Sequence, residues 1–206
     1  MRKMFLAAAA MALGLMPAIA NADAACTKVI TDYTPRINVQ RVQQTWLLWI
    51  NRVRSKEGLP PYTLNPFLNA SATNWSAYSV KRDTINHKRS ASSPYYDYSA
   101  IEKWFQNRGI AFANVESKTF SENIGWGPFH CDAKDCTPSL IAATRTTLDF
   151  FLSEKNKSYR PHYNSVMSKY FKEIGVGVSY SNKQDRYYIT VHYATAITSA
   201  PPPICK

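Results

Sequence analysis

Apolar residues along the chain fall first at helical and then at strand spacing. Val42, Trp46, Trp49, Ile50 and Val53 recur at three and four, which predicts a helix over 39–57. Gly58 suits a left-handed cap at its end, and Pro60-Pro61 forbid continuation. Asn65 followed by Pro66 opens a second helix, whose buried side carries Leu68, Ala72, Trp75 and Ser79 and which fades near Asp83. Ser99-Ala100-Ile101-Glu102 reads as a capping box for a third helix, with Ile101, Trp104 and Phe105 inward. Gly109 and Ile110 close that helix. Thr137 and Pro138 repeat the cap-then-proline pattern, and Leu140, Ile141, Thr144, Leu148, Phe151 and Leu152 line one side of a fourth helix with Glu154 near its last turn. Val166, Met167, Tyr170 and Phe171 keep helical spacing just after His162 and predict one more short helix.

The period then changes to two. Ile174, Val176, Val178 and Tyr180 alternate as the buried face of a strand, and Gly175 and Gly177 share the opposite face, where something must approach the backbone. After a polar turn at 181–186, Ile189, Val191 and Tyr193 mark the inward face of a strand over 187–193, which leaves His192 on the other face. A third strand is expected over 118–126, followed by a loop over 127–136. Helices and strands mixed in this way, with no internal repeat, point to one α+β domain.

The first 24 residues read as a secretory signal peptide: Arg2 and Lys3, an apolar run from Met4 to Met16, then small residues before Ala24. That run is too short to span a bilayer, and nothing later is long enough, so no transmembrane segment is expected. The domain then occupies 25–196 and the proline-bearing tail 197–206. Losing Arg2, Lys3 and Asp23 with the leader takes the net charge from +11 to +10. The lysines and arginines are spread over the chain without a run of like charge, which suits a soluble surface and argues against specific nucleic-acid binding. Acidic envelope polymer remains an open partner. Four cysteines in an exported chain suggest two disulfides, with three pairings open. The expectation adopted joins Cys131 to Cys136 in the loop and Cys26 to Cys205 at the ends. No CxxC pair is present to suggest a cysteine zinc site.

Spacing alone gives no metal or nucleophile motif: there is no HExxH, GxSxG or phosphate-binding glycine loop. Taken singly, His162 could cap a helix, His87 could be an exposed loop residue, and Glu122 and Glu154 could be carboxylates paired with them for stability. His130 reads as a loop residue. Trp46, Trp49, Trp75 and Trp104 read as core, whereas Trp126, between Gly125 and Gly127, is a candidate to line a cleft.

The order of short motifs adds to this. Asn51-Arg52-Val53-Arg54 and Gly58-Leu59-Pro60 come first, then Leu64-Asn65-Pro66, His87, Ser121-Glu122-Asn123-Ile124-Gly125, Phe150-Phe151-Leu152-Ser153-Glu154, Pro161-His162-Tyr163 and Glu173-Ile174-Gly175-Val176-Gly177-Val178. In this order they resemble the CAP superfamily of cysteine-rich secretory proteins, antigen 5 proteins and pathogenesis-related proteins, in its short bacterial form (SCP-like). The resemblance implies a three-layer α-β-α sandwich with about four helices, a small, mostly antiparallel sheet and one large cleft. It also implies that His87, Glu122, Glu154 and His162 gather in that cleft. Two imidazoles with carboxylates around an open position suit a divalent metal, zinc better than Mg²⁺ or Ca²⁺. The chain departs from the family at Lys88, where a small hydroxyl residue is common, and at Phe150, where tryptophan is frequent. Thr190-Val191-His192-Tyr193 stands where the family has a cysteine-bearing signature.

The leading functional reading is therefore a secreted or periplasmic binding module, not an enzyme, whose His/Glu cleft holds a metal and a small or lipid ligand. One alternative is a metal-assisted hydrolase with Glu122 or Glu154 as its catalytic base. The other is adhesion to acidic envelope polymers through the basic surface.

Overall fold

The computed structural model describes residues 36–89, 98–116 and 118–200. The signal peptide, the Cys26–Cys205 pairing and the end of the tail lie outside the described residues. Element order is α1 (Val39–Lys56), β1 (Thr63–Leu64), α2 (Pro66–Arg82), α3 (Tyr98–Gln106), β2 (Ala111–Phe112), β3 (Phe120–Pro128), α4 (Thr137–Ser153), a 3-10 turn (Glu154–Asn156), α5 (Pro161–Val166), β4 (Glu173–Ser181), β5 (Arg186–Ala194) and β6 (Ile197–Ser199). The main sheet runs β1-β4-β5-β3; β1 pairs parallel to β4 and the other pairs are antiparallel. β2 and β6 make a separate two-stranded ribbon. None of the described helices is long and apolar enough to cross a membrane.

The sheet divides the core into two layers because side chains alternate along each strand. Ile174, Val176, Val178, Ile189, Val191 and Tyr193 face α1 and α4, where they pack with Val42, Trp46, Ile50, Leu140, Leu148 and Phe151. On the other face Phe120 and Ala194 pack with Leu68 of α2 and Ile101 and Phe105 of α3. Gly175 and Gly177 also lie on this second face. A Cβ on Gly175 would fall 2.0 Å from the Leu68 carbonyl carbon, and one on Gly177 would fall 2.0 Å from the Thr73 nitrogen. The close approach expected of these glycines is therefore made by the backbone of α2. Asn69 Oδ1 accepts from Val176 N, and Ser76 Oγ donates to Gly177 O, which ties that helix to the strand it rests on.

Several boundaries differ from the sequence expectation, each for a local reason. α3 begins at Tyr98, so Ser99 lies within the helix and not ahead of it, and Glu102 accepts from Thr119 Oγ1. α4 is preceded by Cys136, and Thr137 is helical; its hydroxyl instead accepts from Asn38 N, which fastens the start of α4 to the start of α1. The helix expected to run through Phe171 stops at Val166. The Arg54 guanidinium takes the Val166 and Ser168 carbonyls, Tyr62 Oη donates to Ser165 O, and Ser168 Oγ accepts from Tyr170 N. With these carbonyls engaged by side chains, the helical ladder ends and the chain turns into β4. β3 is shifted to 120–128, so Gly127 and Pro128 join it and leave the expected loop. The two-residue strands β1 and β2 escaped the sequence reading because they are too short to show a period.

Cys131 and Cys136 form the expected disulfide, with Cα atoms 5.9 Å apart. Cys136 N donates to Arg36 O, so the bridge holds the loop before α4 against the chain entering α1.

The backbone contact at Gly177 leads to a stability prediction. Gly177→Ala is expected to destabilise the protein by about 3 kcal/mol, because two main-chain segments would have to separate. Urea unfolding followed by tryptophan fluorescence measures it. A change below about 0.5 kcal/mol would mean that α2 is free to move off the sheet.

Candidate functional site

Glu122 sits in the middle of β3, opposite His192 of β5 in the strand register, on the face turned towards α2. Its side chain is fully buried. Oε1 accepts from His87 Nδ1 at 2.9 Å and from Arg89 Nη1 at 3.3 Å. Oε2 accepts from His192 Nε2 at 2.8 Å and from Arg89 Nη2. All of the lone-pair capacity of this carboxylate is thus in use.

The partners reach Glu122 because of how α2 ends. Asp83 takes a left-handed conformation (φ 50°) and turns the chain back. Asn86 O then accepts from Trp75 Nε1, and Asn86 Oδ1 accepts from Lys88 N, which fixes the segment bearing His87. The Arg89 guanidinium lies 3.4 Å over the Trp75 ring, so the cation is held flat between an aromatic face and the carboxylate. Lys88 is one position at which the chain departs from the family. The cation that enters the cluster is its neighbour, Arg89.

Burial alone would raise the Glu122 pKa, but the hydrogen bonds from His192 and His87 and the Arg89 charge outweigh it and hold the carboxyl well below the usual range. For His192 the balance goes the other way: burial outweighs Glu122 and lowers its pKa, so the ring is neutral. With Nε2–H donating to Glu122, its buried Nδ1 has no hydrogen-bond partner among the described residues.

The second pair lies on the opposite face. Glu154 caps the end of α4 and begins the 3-10 turn. Its Oε1 accepts from His162 Nδ1 at 2.8 Å, and its Oε2 accepts from the backbone N–H groups of His162 and Tyr163 at the start of α5. The His162 ring stacks on Phe151, with centroids 4.8 Å apart and planes 10° from parallel, and lies 5.6 Å from Phe150. Asn123 Nδ2 donates to His162 O. Since Glu122 and Asn123 are consecutive in β3, the two His/Glu pairs flank one strand from its two sides.

The four residues expected to share a cleft are therefore joined as His87–Glu122 and His162–Glu154, both anchored on β3. Among the described residues, no three His, Cys, Asp or Glu side chains are grouped so as to hold one metal ion. Each of these histidines has Nδ1 on a carboxylate, an arrangement in which a neutral imidazole carries its lone pair on Nε2. Trp126 is 47% exposed, four residues along β3 from Glu122, with the Arg186 guanidinium 4.3 Å over its ring. His130 is exposed and bonded to Asp185 and Asp132.

Sequence reasoning missed Arg89 and the part played by His192. One signal for Arg89 was available, since a carboxylate two residues from Ile124 on a buried strand face requires a nearby cation. The pairing of His192 with Glu122 depends on the β3–β5 register, which no local pattern states.

Breaking this network tests its energetics. Glu122→Gln should cost about 3–5 kcal/mol in urea unfolding at neutral pH, since it removes the charge that answers Arg89 and turns one of the two acceptor oxygens into an N–H donor facing other donors. The wild-type contribution of Glu122 is fully present above its unfolded pKa of about 4.3 and is lost as pH falls through the lower folded value. His192 acts at higher pH: its unfolded ring takes a proton near about 6.5 that the folded ring resists, so stability declines below that pH. His192→Asn should flatten the stability curve between about pH 5 and 6.5. An unchanged slope would show that another group governs it.

Comparison with known proteins agrees with this architecture. An outer surface protein of Borrelia burgdorferi superposes with a TM-score of 0.54 at 13% identity, covering 77% of this chain and 96% of that one. An extracellular protein containing an SCP domain from Bacillus anthracis gives 0.51 at 16% identity, covering 76% of this chain and 41% of that one. None of the curated proteins matches the sequence. The profile of the cysteine-rich secretory protein family matches residues 48–193, a span that includes both His/Glu pairs and all of the main sheet from β1 to the Tyr193 position of β5. The chain belongs to the cysteine-rich secretory protein (CAP) family.

Proposed function

We propose that this CAP domain works outside the cytoplasm as a binding module, with His87 and His162 as nitrogen donors for a divalent metal. The supporting observation is the matched treatment of the two imidazoles. Each has Nδ1 held by a carboxylate at 2.8–2.9 Å, which sets the tautomer and orients the ring as outer partners do for metal-ligating histidines. The donor chemistry favours zinc. The carboxylates are spent as hydrogen-bond acceptors, whereas Ca²⁺ and Mg²⁺ need several oxygens. β3 is the edge strand of the main sheet, so a zinc ion shared by the two imidazoles would have to lie across its free edge, where it would keep open positions for water or a polar group of a ligand.

Engagement of both carboxylates also favours binding over hydrolysis. Glu122 accepts from three side chains, and Glu154 from one ring and two backbone N–H groups. Neither is left to take a proton from water, which a general base must do. Placement outside the cytoplasm is supported by the signal-like N-terminus, by the Cys131–Cys136 disulfide and by the extracellular and outer-surface descriptions of the two similar proteins.

Calorimetric zinc titration of the purified protein tests the reading. His162→Ala and His87→Ala are expected to remove binding, and Glu154→Gln to weaken it by about tenfold through loss of ring orientation. Equal affinity in the wild type and all three variants would overturn the assignment.

A further inference from the structure

Between Glu154 and Glu173 the chain carries Lys155, Lys157, Arg160, Lys169 and Lys172 and no acidic residue. Positive charge here gathers on consecutive elements: the 3-10 turn, the loop after it, α5 and the turn into β4. Lys155 is compensated from elsewhere, by Glu57 at 2.7 Å. Among the described residues, Lys157, Arg160, Lys169 and Lys172 form no ion pair.

Aromatic rings are interleaved with these cations. Lys157 Nζ lies 5.8 Å from the Phe150 centroid, the Arg160 guanidinium 5.8 Å from Tyr163, and Lys169 Nζ 5.1 Å from Tyr170. Lys118 approaches the same Tyr170 ring at 5.8 Å. Phe150 is 53% exposed and Tyr159 67% exposed, in a protein whose other large rings mostly lie inside. Asn156, Ser158 and Asn164 are also exposed on this strip and add neutral hydrogen-bonding groups.

We infer that this strip, from Phe150 and Lys157 across Arg160 to Lys169, is a docking surface for an acidic polysaccharide of the uronate type. Lysine and arginine would meet its carboxylates in charge-assisted hydrogen bonds. Exposed rings would pack against the C–H faces of the sugars, whose edges are electropositive towards the ring face. Asn156, Ser158 and Asn164 would meet its hydroxyls, groups that a bilayer surface has no use for. The strip also lacks the exposed aliphatic side chains with which an interfacial segment enters lipid. The disulfide places the protein in an oxidising compartment, where nucleic acid is not the common polyanion. This inference does not rest on the metal reading, since none of its cations belongs to either His/Glu pair, although Phe150 also lies 5.6 Å from the His162 ring.

The experiment measures binding of the full protein to polygalacturonate in about 50 mM salt, with chelator present so that failure of the zinc reading cannot affect the outcome. Neutral dextran, anionic phosphatidylglycerol vesicles and a single-stranded oligonucleotide serve as comparison ligands. Binding to polygalacturonate and not to dextran is expected, with a loss of about tenfold in the double variant Lys157→Glu, Arg160→Glu. Phe150→Ala should weaken it severalfold without changing its salt dependence. The double variant Lys56→Glu, Lys134→Glu changes the net charge equally on other exposed positions and should retain binding. An equal loss in both double variants would reduce the effect to overall charge and overturn the site. So would absence of binding to polygalacturonate, or tighter binding to vesicles or oligonucleotide, with thermal unfolding confirming that each variant is folded.

Discussion

A carboxylate cannot stay ionised inside a protein unless its charge is answered, and the placement of Glu122 imposes that demand on three separate parts of the chain. Burial of the side chain costs several kcal/mol of hydration, which only close partners can offset. β5 supplies His192 through strand register, and the segment after α2 supplies His87 and Arg89 through a left-handed turn at Asp83. Trp75 covers the arginine from the helix itself. The position of His87 is thus a consequence of satisfying Glu122, and any role for that imidazole is built on an interaction whose first effect is on folding.

The opposite layer uses a different solution for a buried charge. Arg54 is almost fully buried, yet its bonds are to the Pro60, Val166 and Ser168 carbonyls, and its guanidinium lies 3.5 Å over Tyr62. Burial lowers its pKa, and the neighbouring Tyr62 and Tyr193 rings only partly oppose this. Those carbonyls stand at the turn after α1 and at the end of α5. Arg54, with Tyr62, therefore sets where α5 stops, and α5 carries His162. The segments that carry the two histidines are fixed by unrelated means on the two sides of β3.

Much of this architecture was legible in the residues. Periodicity located α1, α2, α4, β4 and β5 to within a residue or two, because each has a face that must be buried. Gly175 and Gly177 announced a close approach, and Asn65-Pro66 announced a helix start. The readings that failed rested on side chains with more than one use. Ser99 and Thr137 are good cap residues, but both helices begin too early for them to stand ahead of the first turn, and Thr137 Oγ1 accepts from Asn38 N at the start of α1 instead. Val166 through Phe171 kept helical spacing, but Arg54 and Tyr62 took the carbonyls that a longer helix would have needed. Motif order singled out His87, Glu122, Glu154 and His162 as a set, but not which carboxylate holds which histidine. It did not single out Arg89, since no motif contains it.

The bare contact between α2 and the sheet bears on how the protein can change over time. Where a helix meets a strand through interlocking side chains, a substitution on one side can be answered by another on the other side. Here main chain meets main chain at Gly175 and Gly177, so there is nothing at the contact to exchange. The distance between these layers is fixed by covalent geometry, and divergence is left to the outward faces, to the connecting loops and to the opposite layer, where side chains still share the space.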